Sequence, residues 1–374
     1  MRRRSFVQFL SACPLLATET GNALPVYKVV TPYPARPGIG MPEPYRGRVV
    51  RTHSESSIDA KTEVVDLTTV RRMLSAGMCA LTGAKNDRDA WSRFVSPGDI
   101  VGIKVNASGA PDIMSSPEVV GAIVENLVAA GVPPASIWVY ERMEDQLEEI
   151  PYSRFLPAQV HIEGIETAHH GSLLGYDPKV YVEVDFFGEE DTRSNLVRLV
   201  SERFTKIINV PNMKEHQAAG VTGCLKNIAY GNFSNVARSH RSEKTNTYSF
   251  IGTLAGVEPL RSRTVLNIMD GLRGVWHGGP FSYDPRFRFY PQQLLFGTDP
   301  VAMDRVLIEA IEEKRKAEGA PSIFDRSPER LSHDYSRDPG FNFFIREPRH
   351  VEYAAGLGLG EYDLSRIRVE AIEL

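Results

Sequence analysis

Residues 100–140 read IVGIKVNASGAPDIMSSPEVVGAIVENLVAAGVPPASIWVY, and three signals in this stretch decide the fold. The apolar run 100–105 predicts a buried strand. Ser116-Pro117-Glu118 predicts a helix start, with serine as cap and proline at the first helical position, where no backbone N–H is needed. Gly131 ends that helix, and 137–140 is a second apolar run. The result is a β-α-β unit whose strands are apolar but for Lys104 near the end of the first, as expected of parallel strands covered on both faces.

The same grammar extends outward. Asp66 can cap a helix through Thr82 that sets Leu67, Val70, Leu74 and Met78 on one face. Further strands are predicted at 180–186, 206–210, 264–269, 293–296 and 366–372, and helices near 245–257, 299–316 and 348–355. No period of about 20 to 50 residues recurs, which excludes a repeat array. The expected class is α/β, a mostly parallel sheet with helices on both faces. One domain over 63–374 is the simplest description, and a division into two lobes stays open.

The chain opens with MRRRSFVQFLSACPLLATETGNA. A cationic start, a weakly apolar stretch over 6–17 and small residues at Gly21-Asn22-Ala23 predict an export signal over 1–23. RRSFV is similar to a twin-arginine signal. Export would make the protein periplasmic or secreted; without a functional signal it is cytoplasmic. Leu10-Ser11-Ala12-Cys13 also fits a lipobox, which leaves lipidation of Cys13 open. Residues 24–62 are rich in proline and polar groups, and predict a leader lying extended on the surface or disordered.

Composition narrows the partners. The chain has 43 basic and 47 acidic residues, a net charge of -4 and no basic block, so nucleic acid is not expected. No later apolar run of about 18 residues exists, so no transmembrane segment is expected. The cysteines are Cys13, Cys79 and Cys224, too few to ligate an iron-sulfur cluster or a C-x-x-C zinc site within this chain. A Cys79–Cys224 disulfide is open on spacing alone.

The chemistry concentrates in 206–232, KIINVPNMKEHQAAGVTGCLKNIAYGN. A buried strand runs into Lys214 and His216, then Ala218, Ala219, Gly220, Thr222 and Gly223, then Lys226 and Asn227. Cations at the carboxyl end of a strand, followed by residues small enough for close backbone approach, make a site for an anionic small molecule or cofactor. Glycine and threonine there also serve as turn and cap, and the lysines as solvated charge. The combination favours a site: His216, Lys226 and Lys214 as catalytic candidates, and Lys104, Asn106, Gly220, Thr222, Gly223 and Asn227 as ligand-binding ones.

Other strand ends carry Asp270-Gly271 and Gly297-Thr298-Asp299-Pro300, with Asp304 a turn later. Asp299 also reads as a helix cap and Asp270-Gly271 as a turn pair. If these ends converge with 206–232, Asp270 and Asp299 could hold a divalent cation through oxygen.

KVN at 104–106, NMKEHQAAGVTGCLKN at 212–227, NIMDG at 267–271, HGGP at 277–280, GTDPVAMD at 297–304 and the late GLGLG resemble the domain-of-unknown-function family 362 over about 95–374. Members are often joined to ferredoxin-like domains, which implies a redox partner; this chain has no such cysteines. Locally, His216-x-x-Ala219-Gly220-x-Thr222-Gly223-x-x-Lys226 is similar to a signature of the nickel-pincer lactate racemases. That resemblance implies His216 as acid/base, Lys226 as anchor of a tethered nickel cofactor and His240 as a metal ligand. His161, His169 and His170 match no motif for the family's second histidine.

The expectation is an exported protein that binds a small anionic ligand. A histidine flanked by lysines favours an isomerase- or lyase-like proton transfer over a plain anion grip, with a non-catalytic binding or accessory protein as the alternative.

Overall fold

The computed structural model describes residues 6–9, 24–166, 175–240, 245–325 and 347–374. The rest of 1–23, on which the export-signal reading rests, lies outside the described residues, as do His169 and His170.

In chain order the first strands are β1 (Phe6–Phe9), β2 (Lys28–Thr31), β3 (Arg48–His53), β4 (Val101–Lys104), β5 (Ile137–Met143), β6 (His161–Glu166), β7 (Tyr176–Glu183) and β8 (Arg193–Val197). The second half adds β9 (Lys206–Asn209), β10 (Asn212–His216), β11 (Gly220–Val221), β12 (Thr264–Val275), β13 (Arg288–Phe289), β14 (Gln293–Gly297) and β15 (Arg368–Glu373). The central sheet follows the order β15-β3-β14-β12-β9-β4-β5-β6. All strands on that path run parallel except β14, which opposes both its neighbours.

Successive side chains of a strand point to opposite faces, and two cores result. Val49, Trp138, Ile207 and Leu295 join one; Val50, Val139, Ile208 and Leu294 join the other. Helices Gly223–Tyr230, Thr247–Ala255, Pro300–Ala317 and Arg349–Gly356 roof the first core together with a small antiparallel sheet, β1-β2-β7-β8. Helices Leu67–Thr82 and Pro117–Ala129 roof the second. The protein is thus α/β with a mostly parallel sheet covered on both faces.

Local signals explain the helix starts. Asp66 accepts from the Thr69 N–H at 2.6 Å and caps Leu67–Thr82. Ser116 occupies the cap position of Pro117–Ala129, but its side chain makes no cap bond. The Asp270 carboxylate instead reaches across to accept the Ser116 N–H at 2.6 Å.

Residues 24–62 are not a leader. β2 belongs to the small sheet and β3 lies between β14 and β15, with Val49 and Val50 wholly buried. Prolines 32, 34, 37, 42 and 44 fall in the connection between β2 and β3, where a missing N–H breaks no ladder. They mask the strand-like runs on either side. Cys79 and Cys224 are both free thiols, so the disulfide is absent. Among the described residues no helix is long and apolar enough to cross a membrane.

Candidate functional site

Parallel strands deliver their carboxyl ends to one rim. There β4 ends in Lys104 with Asn106 two residues on, and β5 presents Glu141 and Arg142. β9 leads into β10, which continues beyond the rim along the distal half of β12, Met213 beside Gly274 and Lys214 beside Val275. A hairpin pairs His216 with Gly220, whose φ of +75° suits glycine. Helix Gly223–Tyr230 then returns carrying Lys226 and Asn227. The turn Ala237–His240 and the loop at Pro280 and Phe281 complete a cleft of about 280 Å³.

Asn106, His216, Thr222, Lys226, Asn227 and His240 all line this cleft. Glu141, Arg142, Gln146 and Tyr230 line it too, and were not foreseen. Glu141 and Arg142 end the second strand of the opening β-α-β unit, so the strand-end rule could have found them. His350, whose charge is felt by His216, carries no local sequence signal.

The three lysines differ in their partners. Lys104 is fully buried and donates to Glu141 Oε1 at 2.8 Å and the Val105 carbonyl at 2.5 Å. Burial lowers its pKa, partly offset by Glu141. Lys214, also fully buried, donates to Asn106 Oδ1 at 2.6 Å, to Ile113 O at 3.2 Å and to Ser108 O. Burial, opposed by Glu141 and reinforced by Lys226, brings it down to about 7. An ammonium has three hydrogens, so Lys214 is fully engaged in holding the 106–113 loop and sits behind the wall, not in the cleft. It is a positioning residue, where the sequence suggested a catalytic one.

Lys226 is the exception. Among the described residues it has no hydrogen-bond or ion-pair partner; its amine lies 5.0 Å from the centre of the Tyr230 ring. Burial and the Arg142 charge, opposed by Glu141, bring its pKa down to about 7. Glu141 makes no ion pair with it and is engaged elsewhere: Oε1 accepts from Lys104 and the Arg142 N–H, and Oε2 from the Ala107 N–H at 3.1 Å.

His216 is buried, its pKa well below the usual value because of burial first and then the charges of Lys226, His240, His350 and Lys214. Its Nδ1 accepts the Ala218 N–H at 3.0 Å. A neutral imidazole that accepts at Nδ1 carries its proton on Nε2. His216 therefore turns Nε2–H, a hydrogen-bond donor, away from the Ala218 bond; of the expected acid/base pair of roles, this tautomer suits the donor side. The His240 ring lies 5.3 Å from that of His216 and from that of Tyr230.

The glycines of this segment make room inside the protein. A Cβ on Gly223 would stand 2.2 Å from Asp304 Oδ1. Asp304 occupies that space to accept the Cys224 and Leu225 N–H groups at 2.5 and 2.9 Å. The helix N-terminus is thus capped from within, which removes Gly223 from the ligand-binding set and leaves Gly220 to the hairpin. Thr222, 3% exposed, keeps a hydroxyl that has no partner among the described residues, at the cleft wall.

Neither candidate aspartate reaches the cleft. Asp270 accepts from Ser116 N and from Leu272 N at 3.0 Å. Asp299 caps Pro300–Ala317 through Ala302 N and accepts from Gly47 and Glu361 N–H groups, each at 2.9 Å. For Asp299 the reason is topological: β14 runs antiparallel, so its carboxyl end emerges at the opposite rim. Among the described residues no three His, Cys, Asp or Glu side chains are grouped to hold a metal ion.

No curated protein matches this sequence. A crystal structure of a Thermotoga maritima protein from a structural genomics programme is similar at 11% identity with a TM-score of 0.41, over 67% of this chain and 59% of that one. The chain thus spans about three fifths of that protein's length. None of these comparisons supports the lactate racemase resemblance. The family described as Domain of unknown function (DUF362) matches residues 101–309. That span exceeds half of the 374 residues and holds both strands of the opening β-α-β unit and nearly all of the cleft, and the chain belongs to the DUF362 family.

Proposed function

We propose that the cleft binds a small organic anion, a carboxylate or a phosphate, and that Lys226 exchanges a proton with it. The observation that carries this reading is an ammonium with no partner among the described residues, in a cleft whose carboxylate is already engaged. An anion would supply the missing counter-charge. Arg142 adds a second cation on the same wall, and His216 offers Nε2–H to an oxygen without adding charge. A neutral donor of this kind polarises a carbonyl or carboxylate without driving off the proton that Lys226 must handle. Asn106 and Asn227, tied to each other at 3.1 Å, orient the floor.

Calorimetric titration with oxalate and with inorganic phosphate tests the reading. Lys226→Met should weaken one of them at least tenfold, about 1.4 kcal/mol. The ammonium is the binding form, so affinity should be highest below pH 7 and fall as pH rises through about 7. Affinity that is equal in the parent and in Lys226→Met, and flat with pH, would refute it.

A further inference from the structure

The three lysines at the sheet rim are not equivalent, and their difference narrows the substrate class. Lys104 and Lys214 each hold protein oxygens with their ammonium hydrogens. Lys226 holds none and stands against the Tyr230 ring, with Arg142 and Glu141 on the same lining. Two further groups of the cleft suit an oxygen that appears and leaves. His216 can donate only through Nε2, and the Thr222 hydroxyl is buried with no partner among the described residues. We propose that Lys226 is a nucleophile that forms an imine with an anion bearing an aldehyde or ketone, such as a 2-oxo acid.

This rests on the anion-binding reading and names its substrate class. In the step, the neutral amine nitrogen attacks the carbonyl carbon, and the C=O pair of electrons moves to oxygen. His216 Nε2–H and the Thr222 hydroxyl stabilise that oxygen. The nitrogen gives up both its hydrogens, and they leave with the oxygen as one water, so the C–N double bond forms without any redox partner. Arg142 holds the carboxylate of the same molecule. An amine that is half deprotonated near pH 7 is competent for this addition, whereas an exposed lysine, almost wholly protonated there, adds far more slowly.

The full chain is incubated with pyruvate or glyoxylate and sodium cyanoborohydride, which reduces an imine to a stable amine, and is then analysed by intact mass and peptide mapping. One adduct is expected, on Lys226 and not on Lys104 or Lys214, forming with a midpoint near pH 7. Lys226→Arg, which keeps the charge, should abolish the adduct, and oxalate should slow labelling of the parent. Labelling spread over surface lysines and unchanged in Lys226→Arg would overturn the proposal. Oxalate binding without any adduct would overturn the imine and leave anion binding standing; loss of both overturns the two readings together.

Discussion

A buried lysine is defined by what its nitrogen touches. KVN at 104–106 and NMKEH at 212–216 announced cations at strand ends, but not which of them is tied down, because the acceptors for Lys214 lie about a hundred residues away in chain. The same limit hid His350, which long-range packing brings under the influence of Lys226. Burial and that charge push the His350 pKa down to about 3. In the unfolded chain it titrates near 6.5. Between those values the unfolded state binds a proton that the folded state refuses, so stability is present above pH ~6.5 and is lost as pH falls. Over the drop from pH 7 to pH 5 the loss is about 2 kcal/mol. Urea unfolding of His350→Phe at both pH values should show an acid-induced loss smaller than the parent's by about that amount. Carboxylates that titrate in the same range cancel in the comparison. Equal losses in the two proteins would remove His350 from the account.

At the scale of elements, the β-α-β unit was legible because every signal in it is local: serine and proline at the helix start, glycine at its end, apolar runs on either side. β3 was not, since the prolines before it dominate the composition of 24–62, and only its partners β14 and β15 reveal it as a sheet strand. The direction of β14 was equally hidden. A strand's own residues do not state whether it runs with or against its neighbours, so the sequence left open which rim receives Asp299. Its real task is to hold three segments together. The carboxylate caps Pro300–Ala317 and accepts N–H groups from Gly47 and Glu361, in a space that only Gly360 leaves open: a Cβ there would stand 1.9 Å from Asp299 Oδ1. The last glycine of the late GLGLG motif is thereby explained as packing, whereas Gly358 stands in open space at φ +80°. Asp299→Ala strands three N–H groups, each worth about 1 kcal/mol or more. Thermal and urea unfolding should show a loss of at least about 3 kcal/mol, while oxalate affinity, read by calorimetry, stays that of the parent. A variant of parental stability with weakened oxalate binding would restore Asp299 to the site.

Across the whole molecule, the cleft is joined to the middle of the sheet by buried amides that cross three strands' worth of structure. Asn106 donates to Asn227; Asn227 donates to Asn209 at 2.8 Å; Asn209 donates to Asn267 Oδ1 at 2.8 Å and to the Cys224 carbonyl at 3.0 Å. β4, β9, β12 and helix Gly223–Tyr230 are thus registered by side chains as well as by backbone ladders. Because the amides are uncharged, they fix the floor of the cleft without altering the charge balance around Lys226. Sequence alone could not show this chain: Asn106 and Asn227 stood out as separate ligand candidates, and nothing local ties Asn209 and Asn267 to them. Asn209 is its centre. Asn209→Leu leaves Asn227, Asn267 and the Cys224 carbonyl each short of a partner in a dry interior, a loss of roughly 2–5 kcal/mol. It should also release Asn227 at the cleft floor and weaken oxalate binding several-fold. Asn267→Leu breaks the chain one step farther from the cleft, with the Asn209–Asn227 bond intact, so it should destabilise the protein yet leave oxalate affinity unchanged. Urea unfolding and oxalate calorimetry on both variants separate the two effects. Equal weakening of binding in both would mean that general loosening of the sheet, and not the amide chain, is what reaches the cleft.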